Sequence, residues 1–96
     1  MNSYLILWSW SEQGLRNFKD SPKRVDAFKQ LVEKSGGKVV PFLYTLGKYD
    51  GATVVEAPSD EALLKIELSL GNFGNVRTTT PKAWTAPVAA KVFSQV

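Results

Sequence analysis

The chain has no cysteine, no histidine and one methionine. Without cysteine there is no disulfide, no thiol nucleophile and no thiolate metal site. Without histidine the commonest general base is missing, as is the commonest protein ligand of zinc, copper and iron. Catalysis would have to rest on carboxylates, Tyr, Lys, Ser or Thr. A metal would have to be a hard, oxygen-bound ion, and neither a metal site nor a cofactor is expected. Long apolar runs are also absent. The longest, "YLILW" and "VVPFLY", fall far short of the roughly 20 residues that span a bilayer, so no membrane association is expected. The N-terminus shows no basic start followed by a cleavable apolar segment, which makes the cytoplasm the default location.

What is present reads as one globular domain, residues 1–96. A chain of this size buries only roughly 60–65% of its unfolded surface, so its core is modest and self-association would extend it. The net charge of +3 permits acidic partners but demands neither nucleic acid nor membrane.

Apolar periodicity and turn residues organise the chain. "SYLILWSW", residues 3–10, reads as a first strand. A polar stretch punctuated by Gly14 follows. Ser21 and Pro22 are read as the N-cap and first residue of a helix, with Val25, Phe28, Leu31 and Val32 at helical spacing and Gly36-Gly37 closing it. Residues 38–46 form a second strand, kept at a sheet edge by Pro41. A tight Gly47-Lys48 hairpin leads to a third strand over 49–57, although Asp50-Gly51 is a competing turn. Within that strand Gly51 marks a bulge or a close approach. Ser59 caps a second helix that stops at Gly71, with Asp60 and Glu61 at its positive end. Residues 75–80 are a fourth strand, and Pro87 opens a short C-terminal helix. The order β-α-β-β-α-β predicts an α+β ferredoxin-like fold with a four-stranded antiparallel sheet and helices on one face.

Both faces of that sheet are apolar. In the first strand Tyr4, Ile6, Trp8 and Trp10 share one face, and Leu5 and Leu7 the other. In the second, Val40, Phe42, Tyr44 and Leu46 are placed opposite Val39 and Leu43. A sheet covered on one side alternates apolar and polar residues instead. An uncovered apolar face would be large for a monomer surface, so the pattern predicts a homodimer joined through the sheet, a dimeric α+β barrel, with a higher oligomer open. Leu64 and Leu68 lie about 100–140° around the second helix from Leu63 and call for cover from the C-terminal helix or a neighbouring subunit.

The segments "YLILWSW", "QGLRNFKDSPKR", "LGKYD", "VVEAPSDEA" and "LGNFGNVRTTT" resemble the GYD domain family, small bacterial proteins with a dimeric ferredoxin-like α+β barrel fold. The resemblance covers residues 4 to about 84 and is most specific in "GKYD" followed by "VEAP", and in "GNVRT". The naming motif falls on Gly47, Tyr49 and Asp50. Two positions depart from the pattern: Gly51, where an apolar strand residue is usual, and Pro81 after "TTT". The wider superfamily includes cofactor-free monooxygenases and lactone isomerases.

Two functional readings follow. One is a small-molecule-binding or assembly protein. The other, by analogy with the superfamily, is a cofactor-independent enzyme acting on a small carbonyl or aromatic compound. There Asp50 would be the base, with Tyr49 and Arg77 binding the anion. For Tyr49-Asp50 the structural alternative is a hairpin cap, which the sequence favours. Arg77 could clamp a carboxylate or bridge to Asp50 or Glu56. Trp8, Trp10 and Tyr44 could line a ligand pocket, or the two tryptophans could lie in a dimer core. Cations crowd residues 16–38, among them Arg16, Lys19, Lys23 and Arg24. The third strand lacks the stacking aromatics of RNA-binding versions of this fold, so these cations read as a solvated helix face and no nucleic-acid partner is expected. "GNFGN" at 71–75 lacks the Lys-Ser/Thr of a phosphate loop and reads as a helix stop.

Overall fold

A computed structural model describes residues Met1–Val96. Its elements in order are β1 (Asn2–Trp10), α1 (Glu12–Arg16), α2 (Ser21–Lys34), β2 (Lys38–Tyr44), β3 (Gly51–Ala57), α3 (Asp60–Phe73), β4 (Val76–Thr79), β5 (Lys82–Ala83) and α4 (Ala86–Phe93), with a single 3-10 turn at Phe18–Asp20. The strand order is β2-β3-β1-β4, every pairing is antiparallel, and β5 adds to β1 beyond the end of β4. This is the expected ferredoxin-like α+β fold.

One core layer lies between the sheet and the two long helices. Tyr4 and Ile6 of β1 and Val55 and Ala57 of β3 meet Phe28 and Val32 of α2 and Leu63 and Ile66 of α3. The helical stripes Phe28/Val32 and Leu63/Ile66 are spaced by four and three residues, as one buried helix face requires. Ser59 caps α3, its hydroxyl accepting from the Ala62 N–H at 3.1 Å. The helix runs past Gly71 and ends at Gly74, whose φ of 77° is the left-handed conformation that terminates helices.

Several local expectations are corrected. The stretch after β1 is helical, because the Ser11 hydroxyl accepts from the Gly14 N–H at 3.0 Å and starts α1. Ser21 is not the cap of α2 but its first residue; its hydroxyl is engaged by the Tyr44 hydroxyl at 2.7 Å. The second strand ends at Tyr44 and the third begins at Gly51, so a six-residue loop replaces the tight hairpin. Thr45 closes this loop twice, its N–H donating to the Asp50 carbonyl at 2.9 Å and its hydroxyl to the Tyr49 carbonyl at 2.7 Å.

The strand faces also differ. Register shifts between Val40 and Phe42, so Pro41 is an extra residue. The buried Thr53 hydroxyl serves the carbonyls this exposes, lying 2.8 Å from Pro41 O and 3.2 Å from Val40 O. In consequence Val39, not Val40, shares the helix-covered face with Phe42 and packs on the core. Val40 joins Leu43 on the opposite face.

That opposite face carries two apolar rows. Val40 and Leu5 flank Val54, and Leu43 and Leu7 flank Ala52. None of the six is buried, and Leu43 is 51% exposed. The C-terminal helix α4 buries no residue either. Leu64 and Leu68 of α3 remain open at 58% and 65% exposure. No helix is long and apolar enough to cross a membrane.

At the far end of the core the Tyr4 hydroxyl donates a short hydrogen bond to Asp60, which also pairs with Lys82 at 3.1 Å. The bond from Tyr4 first, and Lys82 second, holds the Asp60 carboxyl below its ordinary value. Burial first, and Asp60 second, raises the Tyr4 phenol. A depressed carboxyl stabilises the fold above the ordinary carboxylate range, about pH 4, and that stability disappears as acid titrates the folded state. Asp60→Asn should therefore lower the urea midpoint more at pH 7 than at pH 2. Equal losses at both pH values would show that the ionised carboxylate adds nothing.

Candidate functional site

The helix-covered face of the sheet becomes aromatic towards the C-terminal end of β1. Trp8 and Trp10 point to the same side, with ring centroids 4.9 Å apart and nearly perpendicular. Trp8 stacks on Phe42 at 5.7 Å, Trp10 stacks on Tyr44 at 6.4 Å, and Phe28 of α2 meets Phe42 edge-on at 6.1 Å. Trp8 lies directly across from Gly51, and a Cβ at that position would stand 2.1 Å from the indole. The bare glycine is what lets the ring lie flat against β3. The sequence signal at Gly51 is thus a close approach of a side chain.

Beside this wall lies a cavity of about 340 Å³ between sheet, α2 and α3. Its lining includes Ile6, Trp8 and Trp10 of β1, Ser21, Arg24, Val25 and Phe28 of α2, Phe42 of β2, Leu70 and Phe73 of α3, and Val76 and Thr78 of β4. Phe73 is 60% exposed and Trp10 and Arg24 are half-buried, so the cavity opens to solvent at this end. The Arg24 guanidinium sits over the Trp10 ring, 5.8 Å from its centroid. It donates to the Asn17 carbonyl at 3.0 Å and the Gly14 carbonyl at 3.4 Å. The α1 segment thereby fixes a cation against an aromatic face, an attractive arrangement. The buried Trp8 Nε1–H has no hydrogen-bond partner.

Trp8 and Trp10 therefore stand on the helix side, away from the open face of the sheet. Tyr44 joins their cluster and reaches the cavity through its bond to Ser21. From the sequence Phe28 reads only as a helix stripe, Phe42 as a strand face, Arg24 as a solvated cation and Phe73 as part of a helix stop, none of them as a site residue. Arg24 is one of many cations on its helix, and only the Trp10 contact sets it apart.

Asp50, Tyr49 and Arg77 are not brought together. None of them lines this cavity or the second one, a polar cleft of about 360 Å³ bounded by Tyr4, Asp60, Glu67 and Lys82 among others. Asp50 is the last residue of the loop before β3, beside β1. Its N–H donates to the Trp8 carbonyl at 2.9 Å, and its carboxylate accepts from the Trp10 N–H at 2.8 Å. The side chain thus extends the β1–β3 ladder by one rung, in place of a main-chain carbonyl. Tyr49 has Lys48 Nζ 5.6 Å from its ring centroid. Arg77 pairs across from Ser9, which turns it to the open face, and it is exposed. It makes no ion pair with Asp50 or Glu56; the two ion pairs of the chain are Arg16–Glu12 and Lys82–Asp60.

The ladder role of Asp50 has a measurable signature. Asp50→Ala leaves the Trp10 N–H without its acceptor and should cost about 1–3 kcal/mol in chemical denaturation. Asp50→Asn retains an acceptor oxygen and should cost less. Equal losses in the two variants would mean that the charge, not the hydrogen bond, matters.

Residues 4–92 match the GYD domain family. The chain belongs to the GYD domain family. A similar protein from Thermus thermophilus is named glutamine synthetase and cystathionine beta-lyase binding protein; it is 31% identical over 90 residues, which cover 93% of each chain. No solved structure matches. The match reaches to residue 92, so α4, which lies beyond the "TTT" segment, falls within the family domain almost to its end.

Proposed function

We propose that this GYD domain protein is a non-catalytic binding protein that works as a homo-oligomer joined through the open face of its sheet and engages other proteins. The observation that carries the reading is the uncovered pair of apolar rows, Val40–Val54–Leu5 and Leu43–Ala52–Leu7. Contiguous apolar surface of this kind marks interaction sites. A second copy is the economical cover, since a sheet face is self-complementary about a two-fold axis. Arg77 and Thr79 border the rows from β4 and Glu56 from β3, which supplies a polar rim with charges of both signs.

Neither α4 nor the outer stripe of α3 belongs to those rows. The chain measures 49 × 30 × 17 Å with a radius of gyration of 14.2 Å, against about 13 Å for a compact chain of this size. Trp84, Val88, Val92 and Phe93 on and before the projecting α4 are 48–71% exposed. These surfaces suit a protein partner, and the Thermus relative, named for the two enzymes it binds, supports the same class of activity here.

Sedimentation velocity tests the partner half of this reading. Glutamine synthetase purified from the same organism should carry the protein into its own boundary, and Val88→Ser with Phe93→Ser should weaken that co-sedimentation. Two independent boundaries at micromolar concentrations of both proteins would contradict it.

A further inference from the structure

The aromatic cavity plays no part in the assembly reading, and its chemistry points beyond it. We propose that the cavity between Trp8, Trp10 and α2 binds a small aromatic monocarboxylate.

The fixed position of Trp8 comes first. Trp8 is only 4% exposed, and its Nε1–H is buried without an acceptor. Gly51 keeps the indole in this position, since a Cβ there would come within 2.4 Å of Nε1. That nitrogen has no surface on the cavity, so Trp8 offers an occupant the flat face of its ring and not its N–H.

The second feature is the sign of the charge. Arg24 is the single charged residue in the lining, and it makes no ion pair. Its two hydrogen bonds go to main-chain carbonyls, so it is held in place without being neutralised. A guanidinium has five N–H donors, so several remain for a ligand. A cationic ligand would meet repulsion here. A dianion would carry more charge into an apolar cavity than one cation offsets. A single carboxylate fits both limits and takes a guanidinium in its preferred forked geometry.

The walls supply the rest. Indole and phenyl rings from Trp8, Trp10, Phe28 and Phe42 border the space, and flat rings favour stacked or edge-on aromatic partners. A volume of about 340 Å³ is at the small end of the range for ligand sites, about 300–1,000 Å³, which restricts the occupant to a small molecule.

The test uses the full chain, isotope-labelled, titrated with phenylacetate, 2-phenylethanol and 2-phenylethylammonium. Three tryptophans give three indole N–H resonances, and Trp8→Phe assigns the relevant one. Phenylacetate should shift the Trp8 resonance through the ring current of its phenyl group and bind about tenfold or more tightly than the alcohol. The ammonium compound should not bind. Arg24→Gln should bring phenylacetate down to the level of the alcohol. A Trp8 resonance that stays fixed at millimolar phenylacetate, or equal affinities for acid and alcohol, would overturn the proposal. Should Arg24→Gln fail to fold, the comparison of acid, alcohol and amine on the unaltered chain decides alone. Subunit number, read by sedimentation on the same samples, is a separate result, so loss of the ligand site and loss of the assembly reading are told apart.

Discussion

Replacing Val54 with lysine should turn the protein into a folded monomer. Val54 sits on the central strand β3 between Leu5 and Val40, in the middle of one apolar row of the open face. Its neighbours along the strand, Thr53 and Val55, are the ones that face the helices and are buried. A lysine in place of Val54 therefore leaves the core untouched within one subunit. In a face-to-face dimer it places an unpaired ammonium in a desolvated interface. Stranding a buried charge costs about 3–5 kcal/mol, more than about a hundredfold in Kd, and two-fold symmetry introduces it twice. Circular dichroism should stay as in the parent protein while sedimentation reports a lone chain. Val55→Lys is the contrasting variant: Val55 is fully buried in the core, and the fold itself should fail. An oligomer that survives Val54→Lys would move the interface elsewhere, to α4 or the outer stripe of α3.

The second large effect is expected at Gly51. Gly51→Val places a branched side chain where the Trp8 indole already lies, 2.1 Å from the new Cβ. Either β3 shifts away from β1 or the indole leaves its position against Phe42. Such overpacking costs about 1–3 kcal/mol and sometimes more. At about 4–8 °C per kcal/mol for a chain of this size, the melting temperature should fall by about 4–24 °C. The aromatic cluster should loosen with it and change the near-ultraviolet dichroism. The double variant Trp8→Leu/Gly51→Val checks the cause. If ring and glycine compete for one volume, the pair should be more stable than the sum of the single losses predicts. Simple additivity would mean that Gly51 is needed for its backbone alone.

Capping residues and periodicity carried most of the fold. Pro22, Gly36-Gly37 and Ser59 mark the ends of α2 and the start of α3, and the buried stripes of both helices are legible as Phe28/Val32 and Leu63/Ile66. What was not legible depends on contacts between distant segments. The faces of β2 turn on a bulge at Pro41 that Thr53 supports from the next strand. Proline predicts an edge position but not an added residue. Ser21 next to Pro22 is a cap pattern, yet Tyr44 engages its hydroxyl. Gly71 looks like a helix stop, and the helix runs through it to the left-handed Gly74.

The site was partly legible for the same reason. Alternation along β1 groups Trp8 with Trp10, but alternation cannot tell which of two apolar faces meets the helices. Arg24 becomes visible only once α2 is laid across β1. Asp50 draws notice as an acidic residue beside a tyrosine, and its contact with the Trp10 N–H gives it a ladder position one residue before β3. The distance of Arg77 from this corner follows from its register opposite Ser9.

The mass of the native protein decides whether a second copy covers the open sheet face. Native mass spectrometry of gently purified protein at micromolar concentration should give an even number of chains, a dimer or a multiple of it, and Val54→Lys should reduce that to one. A bare single chain in the unaltered protein would contradict the account.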